Sequence, residues 1–293
     1  MDMGRISSYC IGCLIQAQEK TIRNEKDERK KTEYMKALCR MIGEADDHIS
    51  VPVLVAENTK LLKSYFGITR DYTKEKQEYN DLMLSYENKI WERILGASDS
   101  FMEALKYARV GNYIDFGAVN VQQDQLHMLL EKVEADTVDL KEYEHLCDDL
   151  EKGKHLVYLT DNCGEIVLDK LFIKMIQKKY PQLKISVIVR GEDVLNDATY
   201  EDAQRVGLTD LAEVLPNGCD TAGTPLEYVS PKIRSLIEKA DVIIAKGQGN
   251  FETMNQCGLN VYYMFLCKCK WFEMRFQLKQ FDGVLINDCN LKV

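Results

Sequence analysis

Proline is scarce, with 5 in 293 residues and none between Pro52 and Pro181. That long gap leaves room for helices uninterrupted by the one residue that cannot sit in their interior. Histidine is rarer still: His48, His127, His145 and His155 fall in helical stretches, a connecting loop or a strand start. They read as structural or surface residues. No run approaches the roughly 18 apolar residues that a membrane helix needs. The first twenty residues hold one early Arg and an apolar stretch broken by Ser, Tyr and Gly, so no signal peptide is expected and the reading is cytoplasmic. Positive charge is also in deficit, with a net charge of −9. A nucleic-acid binder needs a basic face to neutralise phosphates, so that class is set aside. Phosphorylated small molecules remain open, because one Lys or a metal ion supplies the charge locally. A Gly-x-Ser-x-Gly elbow, a Walker A loop and a His-Glu-x-x-His motif are all missing.

What is present is a soluble globular composition, 45% hydrophobic and 29% charged, in a chain long enough for two modest domains or one large one. The ten cysteines are scattered, and the close pairs are Cys10/Cys13 and Cys267/Cys269. Most are expected to be reduced thiols acting as small hydrophobes.

Up to about residue 110 the periodicity is helical, with segments at 6–20, 27–42, 51–66, 73–97 and 98–109. Gly111 to Ala118 (GNYIDFGA) breaks the pattern as a loop. Two more helical segments follow, at 122–133 and 140–152, the second closed by Gly153. Then short apolar runs at 156–159, 185–189, 212–215, 242–245, 261–266 and 284–286 alternate with helical segments at 165–180, 199–206 and 231–240. Strand alternating with helix predicts a mainly parallel sheet with helices on both faces. The expected fold class is α/β: an all-helical N-terminal domain over 1–152 and a Rossmann-like domain over 153–293.

Ligands of open parallel sheets bind at the carboxyl ends of the strands. The first strand is followed by Thr160, Asp161, Asn162, Cys163, Gly164 and Glu165. Asp197 follows the second, and Lys246-Gly-Gln-Gly with Asn250 follows the run at 242–245. Asp161, Asn162 and Asp197 are hard oxygen donors of the kind that suit Mg²⁺ or Mn²⁺. Gly164 allows a tight turn into a helix whose free N–H groups favour an anion, and Lys246 could pair with a phosphate. Taken singly, Asp161-Asn162 and Asp197 could equally be helix caps. Their shared sheet edge favours one site.

The run Thr160–Asp169 (TDNCGEIVLD) resembles the DNAGEIVFD signature of the ARMT-like damage-control phosphatases, long called domain of unknown function eighty-nine. Arg190–Thr199 (RGEDVLNDAT), Ala245–Glu252 (AKGQGNFE) and Gly111–Gly117 (GNYIDFG) resemble that family's other motifs, and Asp71-Tyr72 with Lys76 and Asn80 resembles a weaker one. The resemblance implies a metal-dependent phosphatase acting on small phosphorylated metabolites such as sugar phosphates. It implies metal ligation by Asp161, Asn162 and Asp197 with a divalent ion (Mn, Co, Ni or Mg), and phosphate binding by Lys246 with Asn250 beside it. Asn112 and Asp115 of the GNYIDFG loop are candidates to close over the substrate. One branch of the family carries an N-terminal Cys-x-x-Cys and a later Lys-Cys. Cys10, Cys13 and Cys269 match these, as a second metal or redox site, or else as core thiols; Lys270 stands where the family usually has Pro. Two other readings of the α/β domain are an S-adenosylmethionine-dependent methyltransferase and a non-catalytic binding module.

Overall fold

The computed structural model describes residues 6–113 and 122–291. Five helices lead the chain: α1 (Ser8–Ile22), α2 (Glu28–Glu44), α3 (Val51–Phe66), α4 (Thr73–Gly96) and α5 (Ser100–Val110). A short 3-10 turn (Gly111–Tyr113) ends α5, and α6 (Gln122–Ala135) and α7 (Leu140–Lys152) follow the loop. The starts are set locally. Asp27 accepts from Lys30 N–H, and Asp99 from both Phe101 and Met102 N–H, so carboxylates satisfy donors that a helix leaves open at its first turn.

The remainder alternates as expected: β1 (His155–Leu159), α8 (Glu165–Lys179), β2 (Lys184–Val189), α9 (Tyr200–Arg205), β3 (Glu213–Pro216), α10 (Pro231–Glu238), β4 (Val242–Lys246), α11 (Gly247–Met254), β5 (Val261–Leu266), α12 (Lys270–Phe276) and β6 (Gly283–Asn287). The six strands run in the order β3-β2-β1-β4-β5-β6. All neighbours are parallel except β5 and β6, which pair antiparallel. Two elements go beyond the sequence reading. The glycine-rich stretch after β4 is a helix, α11, and Lys270–Phe276 forms α12.

Both faces of the sheet are covered, which is why the strands are nearly continuous apolar runs. Successive side chains alternate between two cores. Leu156, Tyr158, Val187, Ile244 and Met264 join Ile90, Phe101, Leu146 and Phe172 on one face. Val157, Leu159, Ile188, Ile243 and Phe265 join Ile233, Phe251 and Phe272 on the other. The first core runs straight across residue 152, so α4, α5 and α7 are packed as layer helices of the sheet. Among the described residues, α1–α3 carry separate small clusters, around Leu38 and around Tyr34. Among the described residues no helix is long and apolar enough to cross a membrane.

The strand order reverses between β1 and β4, which lie side by side. A crevice opens at such a switch point, outside the carboxyl ends of the strands. Asp161 follows β1 there, and Lys246 ends β4.

Candidate functional site

Backbone pairing brings the predicted ligands together. Asn162 and Asp197 form an antiparallel bridge. Around it, Ala198 N–H donates to Asp161 O at 2.8 Å and Cys163 N–H to Asn196 O at 2.9 Å. Arg190 N–H donates to Ala198 O at 2.9 Å, tying the β2 end to the same loop. Asp161 and Asp197 are 8% and 4% exposed, so both carboxylates are nearly out of water.

The side chains beneath them form one network. Asn162 Nδ2 donates to Asp161 Oδ2 at 2.7 Å and to Glu165 Oε2 at 3.3 Å. The nitrogen end of the amide thus faces carboxylates, and its oxygen is the end a cation would use. Arg190 Nε donates to Asp197 Oδ2 at 2.5 Å, and its Nη2 lies 3.6 Å from Asp161 Oδ1. Glu165 and Asp169, one turn apart on α8, both accept from Lys246 Nζ, at 2.5 and 2.6 Å. Tyr158 hydroxyl also donates to Asp169 Oδ1 at 2.7 Å.

Four carboxylates therefore face two buried cations, Arg190 and Lys246. Burial, then the fields of Asp197 and Glu165, push the Asp161 carboxyl up to about 8, against the pull of Arg190 and the exposed Lys268. Asp197 is raised by burial, with Arg190 opposing. Burial works against the charge on Lys246, but Asp169 and Glu165 outweigh it and hold its ammonium above the ordinary value. A divalent cation among Asp161, Asn162 and Asp197 would restore the missing charge, and two carboxylates with an amide oxygen are hard donors suited to it. Among the described residues no group of three or more His, Cys, Asp or Glu side chains is arranged to hold a metal ion. The set that fits here has only two such residues, its third donor being Asn162.

The other predicted contacts are placed differently. Lys246 is fully buried and gives its three protons to Glu165, Asp169 and Ala108 O, the last at 2.7 Å. It reaches a phosphate only by breaking one of these. Asn250 is also fully buried: its Nδ2 donates to Thr160 O and Lys246 O, and its Oδ1 accepts from Thr224 hydroxyl. It ties the ends of β1 and β4 to a loop after β3. Gly164, at φ +78°, donates its N–H to Asn80 Oδ1 at 2.7 Å, so that donor is already used by α4. Asn112 lies in the 3-10 turn, with its side chain outside the described atoms, and Asp115 lies outside the described residues.

Cys10 is half-buried and accepts from Ser7 hydroxyl at 3.1 Å, whereas Cys13 and Cys269 are exposed free thiols. Cys269 accepts from Gln248 Nε2 at 3.8 Å. The three cysteines do not converge as a metal-binding set.

Sequence reasoning assigned no role to Glu165, Arg190, Lys76 or Asn80, and overlooked the loop 217–224. The i, i+4 spacing of Glu165 and Asp169 on a helix start was the available signal for the first. For the loop, the signal was its two glycines. A Cβ on Gly223 would fall 2.3 Å from Gly249 O, and one on Gly191 would fall 2.5 Å from Gly218 N. These close approaches seat the loop against α11 and the β2 end.

The damage-control phosphatase ARMT1-like domain matches residues 6–284. An uncharacterised protein of Methanocaldococcus jannaschii, MJ0202, is 30% identical over 96% of this chain and 95% of its own length. Damage-control phosphatase PH1575 of Pyrococcus horikoshii is 34% identical over 64% of each chain. A damage-control phosphatase of Archaeoglobus fulgidus is 27% identical over 91% of this chain and 93% of its own. The crystal structure of the Pyrococcus horikoshii protein superimposes with a TM-score of 0.79 over 97% of this chain and 99% of that one, at 24% identity, and so shares the fold. The chain belongs to the damage-control phosphatase ARMT1-like family.

Proposed function

We propose that this metal-dependent damage-control phosphatase hydrolyses phosphomonoesters of small metabolites, sugar phosphates among them. One divalent ion (Mn, Co, Ni or Mg) would be held by Asp161, Asn162 and Asp197. The observation that carries this reading is the charge imbalance at the β1/β4 switch point, where four buried carboxylates meet two buried cations. A bound divalent ion supplies Lewis-acid stabilisation of charge on the transferring phosphoryl group.

The chain's own residues divide the remaining work. Glu165 orients Asn162 through its Nδ2, as partners behind a ligand orient the ligand itself. Lys246 holds Glu165 and Asp169 in place as the floor of the site. Arg190 keeps Asp161 and Asp197 side by side before any cation arrives. Lys268, exposed after β5 and close enough to act on Asp161, is the rim cation that would meet the anionic substrate. The GNYIDFG loop, with Asn112 and Asp115, would contact the sugar.

The methyltransferase reading is set aside, since the first loop lacks a Gly-x-Gly turn and the relatives are named phosphatases. The test is phosphate release from a panel of sugar phosphates with each of the four metals, in parent and Asp161→Ala protein. Release at the parent's rate by Asp161→Ala would sink the proposal.

A further inference from the structure

Helix α4 lies far from the ligands in sequence, yet two of its buried side chains reach both ligand-bearing segments. Asn80, fully buried, accepts from Gly164 N–H at 2.7 Å through Oδ1 and donates to Asp202 Oδ1 at 3.1 Å through Nδ2. Lys76, 4% exposed, pairs with Asp202 Oδ2 at 2.8 Å and with Asp193 Oδ1 at 2.8 Å. Asp202 Oδ2 in turn accepts from Thr199 N–H at 2.9 Å and Thr199 hydroxyl at 2.8 Å. One side of this network therefore grips Gly164, which stands two residues after Asn162. The other grips Thr199, two residues after Asp197. Asp193 lies at the front of the same loop, four residues before Asp197.

We infer that Lys76 and Asn80 are positioning residues that set the spacing of the metal ligands. This inference rests on the metal-site reading above. Neither residue is among the ligands, and neither touches Asp161, Asn162 or Asp197 in the hydrogen bonds described. Their hydrogen bonds act through Gly164, Asp202 and Thr199, while the Lys76 ammonium also draws directly on the Asp197 carboxyl, a field whose loss alone would favour a cation. The ligands sit on loops, and loops keep a coordination geometry only where neighbouring groups fix them. Here the sheet supplies the strand ends, and α4 supplies the clamp across the two loops. Groups that hydrogen-bond a ligand directly are worth roughly 10- to 100-fold in metal affinity when removed, and residues one step behind them are expected near the lower end.

The experiment is a Mn²⁺ titration by calorimetry on the full-length protein, with the thermal midpoint measured on the same samples. Lys76→Met and Asn80→Ala are expected to weaken Mn²⁺ binding about 10-fold or more. Lys76→Arg keeps a cation between Asp193 and Asp202 and should bind Mn²⁺ more tightly than Lys76→Met. Tyr34→Phe is the control for stability alone. Its hydroxyl bonds Asn58 and Gln18 in a separate small cluster and bonds none of the proposed ligands, so the change should lower the midpoint and leave Mn²⁺ affinity unchanged. Should Asn80→Ala fail to fold, the contrast between Lys76→Met and Lys76→Arg still decides. Parental Mn²⁺ affinity in Lys76→Met overturns the inference, whatever its midpoint. No Mn²⁺ binding by the parent, or parental binding by Asp161→Ala, instead overturns the metal-site reading itself.

Discussion

Lys246 and Glu165 stand on neighbouring elements of the switch point, and the ammonium donates to the carboxylate at 2.5 Å with both side chains buried. Asp169 completes the triad at 2.6 Å. Breaking a buried pair by removing one partner leaves uncompensated charge, at a cost of about 3–5 kcal/mol. Lys246→Met should therefore unfold at markedly lower urea, by about that free energy. A lysine that served only to bind phosphate would give a different result: unchanged urea stability with a raised KM.

Arg190 makes a comparable contribution at the proposed ligands, because it is the buried cation between Asp161 and Asp197. Arg190→Leu leaves those carboxylates facing each other. The metal-free protein should lose stability, and a cation that neutralises both should recover more of it than in the parent. The measurement is the rise in thermal midpoint on adding saturating Mn²⁺, since a ligand of the native state raises stability by mass action. An equal or smaller rise than the parent's would count against Arg190 as the neutralising partner.

Gly247 is the point where α11 meets the site. It has φ +78°, and an added Cβ would fall 2.1 Å from Asp161 Oδ2. Neither the conformation nor the space suits a side chain. Gly247→Ala should displace the Asp161 carboxylate and lower phosphatase activity by roughly 100-fold, the scale of a reacting group misplaced by about 1 Å. Gly258, also at positive φ but with open space around its Cβ position, is the control. Gly258→Ala should show a small loss of stability and parental activity.

Much of this was legible in the sequence, because the signals were local. Apolar runs marked every strand, and the residues after β1, β2 and β4 lie at one edge in the structure. Less local features were hidden. Val284–Ile286 reads as apolar whichever way the strand runs, and the antiparallel direction of β6 comes from how the chain returns to β5. The two glycines at 247 and 249 argue against a helix by propensity, but Asp161 leaves no room for a side chain at the first, and at the second an added Cβ would fall 3.3 Å from Gly223 N. Lys246 after a strand suggests a phosphate ligand; only the fold shows three acceptors around its ammonium. Asn80 and Gly164 are separated by 84 positions, and nothing in either segment alone announces the bond.

Lys268 offers a kinetic test of the rim. It is exposed, so its loss should leave the core intact, and its field reaches Asp161 at the mouth of the site. Lys268→Ala should raise KM for a sugar phosphate several-fold, with kcat within about twofold, and should flatten the dependence of kcat/KM on ionic strength. A fall in kcat at unchanged KM would place Lys268 among the groups acting only in the transition state.

Glu252 predicts a pH dependence of stability that is independent of the proposed metal ligands. It is half-buried on α11, and burial pushes its carboxyl up to about 7 from an ordinary 4.5, with Arg275 opposing. Arg275 itself is held over the Phe251 ring at 4.9 Å. The folded state therefore binds this proton more tightly than the unfolded chain does. Below about pH 4.5 both states carry the proton and burial costs nothing extra. Between about 4.5 and 7 the unfolded chain releases it first, so stability falls as pH rises, and above 7 the full penalty is present. Glu252→Gln removes the titration, so the variant should gain roughly 1–3 kcal/mol over the parent at pH 8 and nothing at pH 4. Urea unfolding at the two pH values measures the difference. A gain of equal size at both would show that packing of the amide, rather than the buried proton, is responsible.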